Sequence, residues 1–274
     1  MTDLFERGLL PAETIRSGLR TRFVGQTVYY WPAIGSTNDE LKRLANEGAP
    51  EGTLAIADEQ LAGRGRLGRT WVAPAGSSLL MSLLFRPVFL APTQAQQLTM
   101  LCSLAAADAI TDITSLQPGL KWPNDLFLDG KKLAGVLTEL GFEGERLAWA
   151  VVGMGLNVDT DFSDWPDLAD TAISLATALG QPVSRLQLLR SYLAGVEARY
   201  EALRAGHSPH REWAARLVTL GQPVTVNAPD GAYRGIAEDV DEAGALLLRS
   251  PGGQVVRILA GDVTLQAVSG VLRL

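Results

Sequence analysis

A segment rich in glycine and arginine, Gly63-Arg64-Gly65-Arg66-Leu67-Gly68-Arg69, restricts the fold more than any other part of the chain. Glycine weakens the interior of a helix or strand, so three glycines in seven residues predict a loop. The apolar runs on either side, residues 53–57 and 77–85, have the composition and length of buried strands. The sequence therefore predicts an arginine-bearing loop between two strands.

The residue types in this loop are suited to binding an anion. Glycines let the backbone approach a ligand, and guanidinium groups make charge-assisted contacts with phosphate or carboxylate. Trp71, which follows shortly after, offers a ring on which a planar base can stack. The alternative is a solvated basic loop of the Arg-Gly type.

Three common nucleotide-binding loops do not fit the segment. The dinucleotide-binding glycine pattern is matched by Gly63, Gly65 and Gly68, but in that fold the pattern opens a helix. Here Pro74 and Gly76 follow, and both disfavour a helix. A kinase loop is excluded because neither His-Arg-Asp nor Asp-Phe-Gly occurs in the chain. The Gly-Lys-Ser/Thr end of a Walker loop is also missing.

Two lysine-containing segments flank a strong turn signal. Residues 121–125 read Lys-Trp-Pro-Asn-Asp, and residues 131–135 read Lys-Lys-Leu-Ala-Gly. Between them, Asp129-Gly130 predicts a β-hairpin with strands at 120–124 and 133–140. A hairpin would bring the two segments together, so that Lys132 directs a charge into a pocket beside small residues. The alternative is an ordinary hairpin with surface lysines.

Two shorter segments add hydrogen-bonding groups and glycines. Ser36-Thr37-Asn38 starts a predicted helix that ends near Asn46, and hydroxyl and amide groups at a helix start can bind a carbonyl or ureido group. Gly153-Met154-Gly155-Leu156-Asn157 ends a predicted strand over 147–157 and breaks it. The alternatives are plain N-capping by Ser36 or Thr37 and a β-bulge at the glycines.

Nucleophilic and zinc chemistry have little support. The single cysteine, Cys102, lies in an apolar stretch and is predicted to be a buried helical residue. His207 and His210 share a polar, proline-containing segment that we interpret as a solvated connection. Catalysis would thus depend on Arg, Lys, Asp, Asn and backbone groups, a set that suits chemistry on phosphates.

The chain divides into a larger α+β part and a smaller β part. Helical patterns cover residues 93–113, 172–179 and 186–203 in the first part. After Gly221, strands at 224–227, 233–240, 245–248 and 255–259 alternate with Pro-Gly-rich turns, a spacing typical of a small β-barrel.

Charge and hydropathy restrict the partners. With 24 basic and 30 acidic residues, the net charge of −6 argues against bulk electrostatic binding of nucleic acid. No apolar run approaches the length of a membrane span, and residues 1–7 lack a signal-peptide core, so we expect a cytoplasmic protein without a membrane partner.

Taken in order, these motifs resemble those of the bacterial biotin protein ligases, from about residue 27 to the C-terminus. Gly-Arg-Gly-Arg-x-Gly-Arg with a following Trp, Lys-Trp-Pro-Asn-Asp and Lys-Leu-Ala-Gly occur in the family's order and spacing. The resemblance implies an α+β fold with a mixed-sheet catalytic domain of the biotin/lipoate ligase type and an SH3-like C-terminal β-barrel. It divides the chain into a short N-terminal segment (1–24), a biotin- and ATP-binding catalytic domain (25–220) and the C-terminal domain (221–274).

The resemblance also implies a reaction and its residues. Biotin and ATP would form biotinyl-5′-AMP, with Mg²⁺ accompanying ATP, and biotin would pass to a lysine of the biotin carboxyl carrier protein of acetyl-CoA carboxylase. Lys132, Arg64 and Arg66 would be catalytic, and no metal ligand is assigned. The expected biotin-binding residues are Ser36, Thr37, Asn38, Gln60, Gly63, Arg64, Gly65, Arg66, Lys132, Gly135, Gly153 and Gly155. The expected ATP-binding residues are Arg64, Arg66, Arg69, Trp71, Lys121, Asn124, Asp125, Lys132 and Asn157.

The sequence departs from part of this family. Dual-function members carry a winged-helix DNA-binding domain before the catalytic strand, and the two dozen residues that precede that strand here are too few for one. We therefore expect no DNA partner, and a homodimer is left open. The alternatives are a nucleic-acid-binding regulator that uses the Arg-Gly loop and a related lipoate-type acyl ligase.

Overall fold

The computed structural model describes residues 9–265, so the expectations for residues 1–8 and 266–274 lie outside the described residues. The first seven strands are β1 (Val28–Ile34), β2 (Leu54–Gln60), β3 (Ser78–Phe85), β4 (Gly119–Lys121), β5 (Asp125–Leu128), β6 (Lys131–Glu143) and β7 (Arg146–Asn157). The other five are β8 (Pro223–Ala228), β9 (Gly231–Val240), β10 (Leu246–Arg249), β11 (Val255–Ile258) and β12 (Asp262–Leu265). The helices are α1 (Ala12–Arg16), α2 (Thr37–Asn46), α3 (Gln96–Thr114), α4 (Pro166–Ala169), α5 (Leu175–Leu179), α6 (Arg185–Arg204) and α7 (His210–Ala215).

A seven-stranded mixed sheet forms the larger unit, in the order β1-β2-β3-β7-β6-β5-β4. β1 and β2 are parallel, and the other neighbours are antiparallel. Alternation along β3 separates the two faces of the sheet, because successive side chains of a strand point to opposite sides. Met81 belongs to the core that includes α3 and α6, whereas Leu84 packs with α2. Ser82, on the same face as Leu84, therefore lies beneath the start of α2.

The main hydrophobic core lies between the sheet and the packed helices α3 and α6. Buried residues occur all around α3, from Leu98 to Ile110, and Cys102 is completely buried. This confirms the prediction that the cysteine is a small hydrophobic residue of a helix. Burial raises the pKa of its thiol to about 12, so the reactive thiolate is disfavoured.

The C-terminal unit is a five-stranded antiparallel sheet in the order β11-β10-β9-β8-β12. Trp122, which is 1% exposed, donates its indole N–H to Gly244 O at 2.8 Å and thereby attaches the larger unit to this sheet. The predicted α+β fold with a small C-terminal β domain is confirmed. Sequence reasoning missed the fifth strand, β12, whose alternation is short and interrupted by charge.

Several predicted elements need correction. The predicted strand at 120–124 ends at Lys121, because a turn with a cis Trp122–Pro123 peptide bond intervenes before β5. The hairpin across Asp129-Gly130 exists, but its first strand is β5, which was not predicted. The helix predicted over 172–179 begins at Leu175, since Ala172 forms a bridge with Lys132.

The interpretation of His210 as part of a solvated connection was wrong. His210 begins α7, is 4% exposed, and its Nε2 atom lies 2.7 Å from Val240 O. The short helix was missed because its apolar positions are few. This histidine joins the larger unit to the C-terminal sheet and does not line the cavity described below.

The segment before β1 is packed against the larger unit. Leu10, Ile15 and Val24 belong to the main core. Glu197 of α6 accepts backbone N–H groups of Arg22, Phe23 and Val24 at 2.8–3.0 Å. None of the helices in residues 9–265 is long and apolar enough to cross a membrane.

Candidate active site

A cavity of about 240 Å³ lies on the α2 face of the large sheet, between the glycine-arginine loop, β6, β7 and the start of β12. The predicted residues that line it are Thr37, Asn38, Gln60, Arg64, Gly65, Arg66, Arg69, Trp71, Asn124, Asp125, Lys132, Gly135, Gly153, Gly155 and Asn157. Four segments that are distant in sequence thus meet at one site. Ser36, Gly63 and Lys121 are not among the lining residues.

Three glycines on β6 and β7 form the floor of this cavity. Gly135 pairs with Gly155, and Leu137 pairs with Gly153, without a register shift at these positions. A Cβ atom on Gly153 would lie 2.1 Å from Asn38 Oδ1, and one on Gly155 would lie 2.4 Å from Trp71 Cε2. The strand is therefore continuous, and the expectation that these glycines break it was wrong. They are needed because other side chains approach the backbone closely.

A hydrogen-bonded chain of buried polar side chains forms one end of the cavity. The Thr37 hydroxyl and backbone N–H both donate to Gln60 Oε1, at 3.0 and 2.8 Å. Ser82 Oγ lies 2.8 Å from Thr37 Oγ1 and 2.5 Å from Asn38 Oδ1. Gln60 thus satisfies a helix-start N–H, whereas Ser36, at the N-cap, makes no side-chain capping bond within the described residues. Sequence reasoning missed Ser82, because a serine in an apolar strand carries no local signal.

The glycine-arginine loop is folded back on itself. Arg64 and Thr70 form an antiparallel bridge, Gly65 N–H donates to Arg69 O at 2.7 Å, and Trp71 N–H donates to Gly63 O at 2.9 Å. Leu67 adopts a positive φ of 54° at the tip, where the chain reverses. Gly63 consequently supports the loop with its backbone instead of facing the cavity.

The three arginines of the loop point to different partners. Arg64 is bound to Asp39 and Glu139, at 2.5 and 3.2 Å. Arg66 donates to Asn124 Oδ1 at 2.9 Å and to Gly261 O at 3.2 Å. In a separate contact, Arg69 forms an ion pair with Asp262 of β12. The C-terminal sheet thus holds two of the three arginines, and the role of Asp262 could not be found from local sequence.

Charge is concentrated at the other side of the floor. Burial lowers the pKa of the Arg66 guanidinium, and nearby Asp262 and Asp125 oppose this shift. Lys132 Nζ lies 2.8 Å from Asp125 Oδ1 and 5.8 Å from the centre of the Trp71 ring. Lys121 instead lies over the Phe127 ring at 4.5 Å, outside the cavity lining.

Three buried polar atoms of the cavity have no hydrogen-bond partner in the described part of the chain. Asp125 Oδ1 is paired with Lys132 by charge, which leaves two neutral atoms, the donor Trp71 Nε1 and the acceptor Asn157 Oδ1. Asn157 is 3% exposed and its Nδ2 atom donates to Ile173 O at 3.1 Å, which fixes the direction of the amide. Leaving a buried polar atom unpaired costs about 1–3 kcal/mol, so both atoms indicate a ligand that supplies the missing partners.

The polar groups are accompanied by an apolar wall. Leu137, Phe162 and Leu168 line the same cavity, and Met81 and Met154 border it from strands whose methionine side chains belong to the main core on the other face. None of them was predicted, because an apolar residue in a strand or loop looks the same whether it lines a cavity or fills a core. Among residues 9–265 there is no group of three His, Cys, Asp or Glu side chains that could hold a metal ion.

Comparisons with known proteins assign this arrangement to a family. Residues 30–157 match the model of the biotin/lipoate A/B protein ligase family, and residues 219–265 match that of the biotin protein ligase C-terminal domain. The bifunctional ligase/repressor BirA of Bacillus subtilis (strain 168) is 36% identical over 94% of this chain and 80% of its own length. The chain belongs to the biotin protein ligase family.

Other members of the biotin protein ligase family agree with this result. The biotin–[acetyl-CoA-carboxylase] ligase of Mycobacterium tuberculosis (strain H37Rv) is 36% identical over 84% of this chain and 85% of its own length. The biotin protein ligase of Aquifex aeolicus, solved in complex with biotin and ATP, aligns with a TM-score of 0.72 and 27% identity over 88% of this chain and 99% of that one.

Proposed function

We propose that this protein activates biotin with ATP to give biotinyl-5′-AMP and then attaches biotin to a lysine of a carrier protein. The observation that carries the proposal is the cavity itself, in which a polar end, a charged centre and an aromatic end share one glycine floor. Membership of the biotin protein ligase family supports the same reaction.

Biotin would occupy the end formed by the start of α2. The side chains of Thr37, Asn38 and Gln60 offer directed donors and acceptors to a ureido group. Gly153 has no side chain and so leaves room beside them, and Leu137 supplies apolar contact for a thiophane ring and valeryl chain. Ser36 and Gly63 would act through the backbone that positions these groups.

The adenine of ATP would occupy the opposite end. The Trp71 ring offers a stacking surface, and the unpaired Asn157 Oδ1 is placed to accept a hydrogen bond from an exocyclic amino group. GTP carries a carbonyl oxygen at the corresponding position, so it would oppose this acceptor. The site would therefore prefer ATP.

The reacting groups would meet between these ends, near Lys132 and Arg66. The biotin carboxylate attacks the α-phosphorus of MgATP in line and displaces pyrophosphate, so no enzyme nucleophile is needed. Lys132 and Arg66 stabilise the charge that builds up on the transferring phosphate, which is electrostatic stabilisation by groups already in place. Asp125 restrains Lys132 at 2.8 Å and, with Asp262, is one of the carboxylates in the lining that can approach the magnesium of MgATP.

The second half-reaction needs an amine and protection from water. A deprotonated carrier lysine attacks the carbonyl carbon of biotinyl-5′-AMP and releases AMP. The loop covers the cavity and limits hydrolysis of the mixed anhydride. We propose the biotin carboxyl carrier protein of acetyl-CoA carboxylase as the acceptor and the cytoplasm, where ATP is available, as the compartment. A homodimer is a further proposal that sedimentation velocity would test.

Isotope exchange between pyrophosphate and ATP tests the first half-reaction. We expect exchange with biotin and much slower exchange with lipoate, because the polar end matches a ureido group. Equal exchange with the two acids would contradict biotin specificity. Incubation with ATP, biotin and a carrier domain should then produce a streptavidin-reactive band, and its absence would contradict transfer.

A further inference from the structure

A cluster of four charged side chains lies beside the polar end of the cavity, on the surface between α2 and β6. It consists of Asp39 and Lys42 of α2, Arg64 of the loop and Glu139 of β6. Glu139 is the member that contacts both Asn38, which lines the cavity, and Arg64 of the loop. It is absent from the cavity lining, and none of the sequence motifs includes it.

Glu139 faces α2 because of its position on the strand. Thr138, its neighbour, contacts Thr99 of α3 at 2.7 Å on the other side of the sheet. Alternation therefore directs Glu139 to the same face as Gly135 and Leu137. Its side chain is 25% exposed, so it lies at the rim of the covered region.

One oxygen of Glu139 joins two groups of the site. Oε2 accepts hydrogen bonds from Asn38 Nδ2 at 2.8 Å and from Arg64 Nη2 at 3.2 Å. The other oxygen, Oε1, accepts one from Lys42 Nζ at 2.8 Å. The opposite atom of the Asn38 amide, Oδ1, accepts from Ser82 Oγ. A carboxylate can only accept, so it holds the donor side of Asn38 towards itself and the acceptor side towards Ser82.

We propose that Glu139 is a positioning residue for biotin, which sets the orientation of the Asn38 amide and anchors the first arginine of the loop. The inference rests on the proposed function, since it assigns the Thr37–Asn38 end of the cavity to biotin. Glu139 does not touch the reacting atoms. Its loss should therefore weaken biotin binding while leaving the chemical step and the nucleotide end intact.

The direct test compares Glu139→Gln with Glu143→Gln. Glu143 lies on the same strand and is exposed, so it controls for removal of one negative charge. Glutamine retains the shape of glutamate, but its amide can turn either a donor or an acceptor to Asn38 and therefore favours neither direction, and it cannot form ion pairs with Arg64 or Lys42. In biotin-dependent pyrophosphate exchange, Glu139→Gln should raise the KM for biotin by about tenfold, with kcat and the KM for ATP nearly unchanged. An equal change in all three parameters, or no change, would overturn the proposal.

A double-mutant cycle tests whether Glu139 acts through Asn38. In an Asn38→Ala background, Glu139→Gln should have little further effect on the KM for biotin, because the amide that it orients is gone. Full additivity of the two substitutions would show that Glu139 acts independently of Asn38 and would overturn that part of the proposal.

Limited trypsin digestion separates this inference from the proposed function. Cleavage after Arg64 requires its guanidinium to leave Glu139 and Asp39. Cleavage at this bond should be several-fold faster in Glu139→Gln than in the wild type or Glu143→Gln. If wild-type protein shows no exchange with biotin, the proposed function fails, and the cleavage rates still decide whether Glu139 anchors the loop. Equal rates in the three proteins would overturn the anchor.

Discussion

Lys132 Nζ of β6 lies 2.8 Å from Asp125 Oδ1 of the neighbouring strand β5. The pairing of these two strands shifts by one residue next to the lysine. Phe127 pairs with Lys132, but Leu126 pairs with Ala134, so Leu133 is an extra residue in β6. Such a bulge changes the direction of the side chains next to it. It brings Lys132 to the same face as Gly135, where a Cβ atom would lie 3.3 Å from Lys132 Nζ.

The first prediction concerns this lysine. Lys132→Ala should impair adenylation about 10²–10³-fold, because a charge is lost where the phosphate becomes more negative. Transfer from synthetic biotinyl-5′-AMP should be much less affected. Lys131→Ala is the matched control, since Lys131 Nζ donates to Ala169 O at 2.9 Å away from the cavity lining. If added adenylate restores no activity to Lys132→Ala, the lysine serves transfer or folding.

A second prediction concerns the glycine floor. In Gly155→Ala the new methyl group would lie 2.4 Å from Trp71 Cε2, so the indole must move from its position. We expect the KM for ATP to rise about tenfold and the protein to lose about 1–3 kcal/mol of stability. Gly252→Ala is the control, because its nearest neighbour is 3.9 Å away. An unchanged KM for ATP would show that Trp71 does not stack on adenine.

Nucleotide choice provides a third prediction. Because Asn157 Oδ1 is a buried acceptor without a protein partner, ATP should be used about 10²-fold more efficiently than GTP. Asn157→Ala should reduce this ratio towards one by lowering activity with ATP more than with GTP. Pyrophosphate exchange with each nucleotide measures both effects. A ratio that is unaltered in Asn157→Ala would place the adenine elsewhere.

The sequence predicted the elements of the site better than its assembly. Motifs with unusual composition, such as the glycine-arginine loop and the Lys121–Asp125 segment, pointed to residues that do converge, including Asn124 and Lys132. The helix start at Thr37 and its end at Asn46 agree with the structure. These predictions succeeded because glycine, proline and helix-capping residues act through local backbone preferences.

Long-range relationships could not be predicted in this way. Ser82 and Glu139 come close together because β3 lies beside the hairpin of β6 and β7, which is distant from it in sequence. Asp262 reaches Arg69 only because the C-terminal sheet packs over the loop. The bulge at Leu133 arises from pairing with β5, a strand that the sequence analysis did not predict.

A fourth prediction concerns stability as a function of pH. Burial raises the pKa of Glu197, but the backbone N–H bonds from Arg22, Phe23 and Val24 outweigh this effect, and the net pKa lies below the ordinary value of 4.5. The stabilisation is therefore complete above that value and is lost as the pH falls through the lower, folded-state pKa.

The corresponding variant is Glu197→Gln. It should reduce the free energy of unfolding by about 1–3 kcal/mol at pH 7 and by less at a pH below the folded-state pKa, because the wild type loses the same interaction there. Urea unfolding at the two pH values measures the difference. Glu201→Gln, a more exposed acid on the same helix, should show a much smaller effect. An equal effect at both pH values would contradict the assigned role of the carboxylate.

The fifth prediction concerns the loop as a cover for the adenylate. Ordering a chain segment costs roughly 1–2 kcal/mol per residue, and the loop makes its main contacts with the rest of the chain through its three arginines. A ligand that offers both phosphate and biotin contacts should stabilise the closed loop further. Trypsin cleavage after Arg66 and Arg69 should therefore be strongly slowed by biotin plus ATP, and by neither ligand alone to the same extent.

Arg66→Ala tests whether closure retains the intermediate. Arg66 connects the loop to Asn124 and Gly261, so its removal should loosen closure without changing Lys132 or the polar end of the cavity. Biotinyl-5′-AMP would still form, although more slowly, but would escape before transfer. The signature is more ATP consumed per carrier labelled, together with biotin on lysines of bystander proteins. Leu67→Ala, at the exposed tip of the same loop, is the control and should keep the wild-type ratio. Unchanged coupling in Arg66→Ala, with equal trypsin protection in free and liganded enzyme, would show that the loop is a fixed wall of the site.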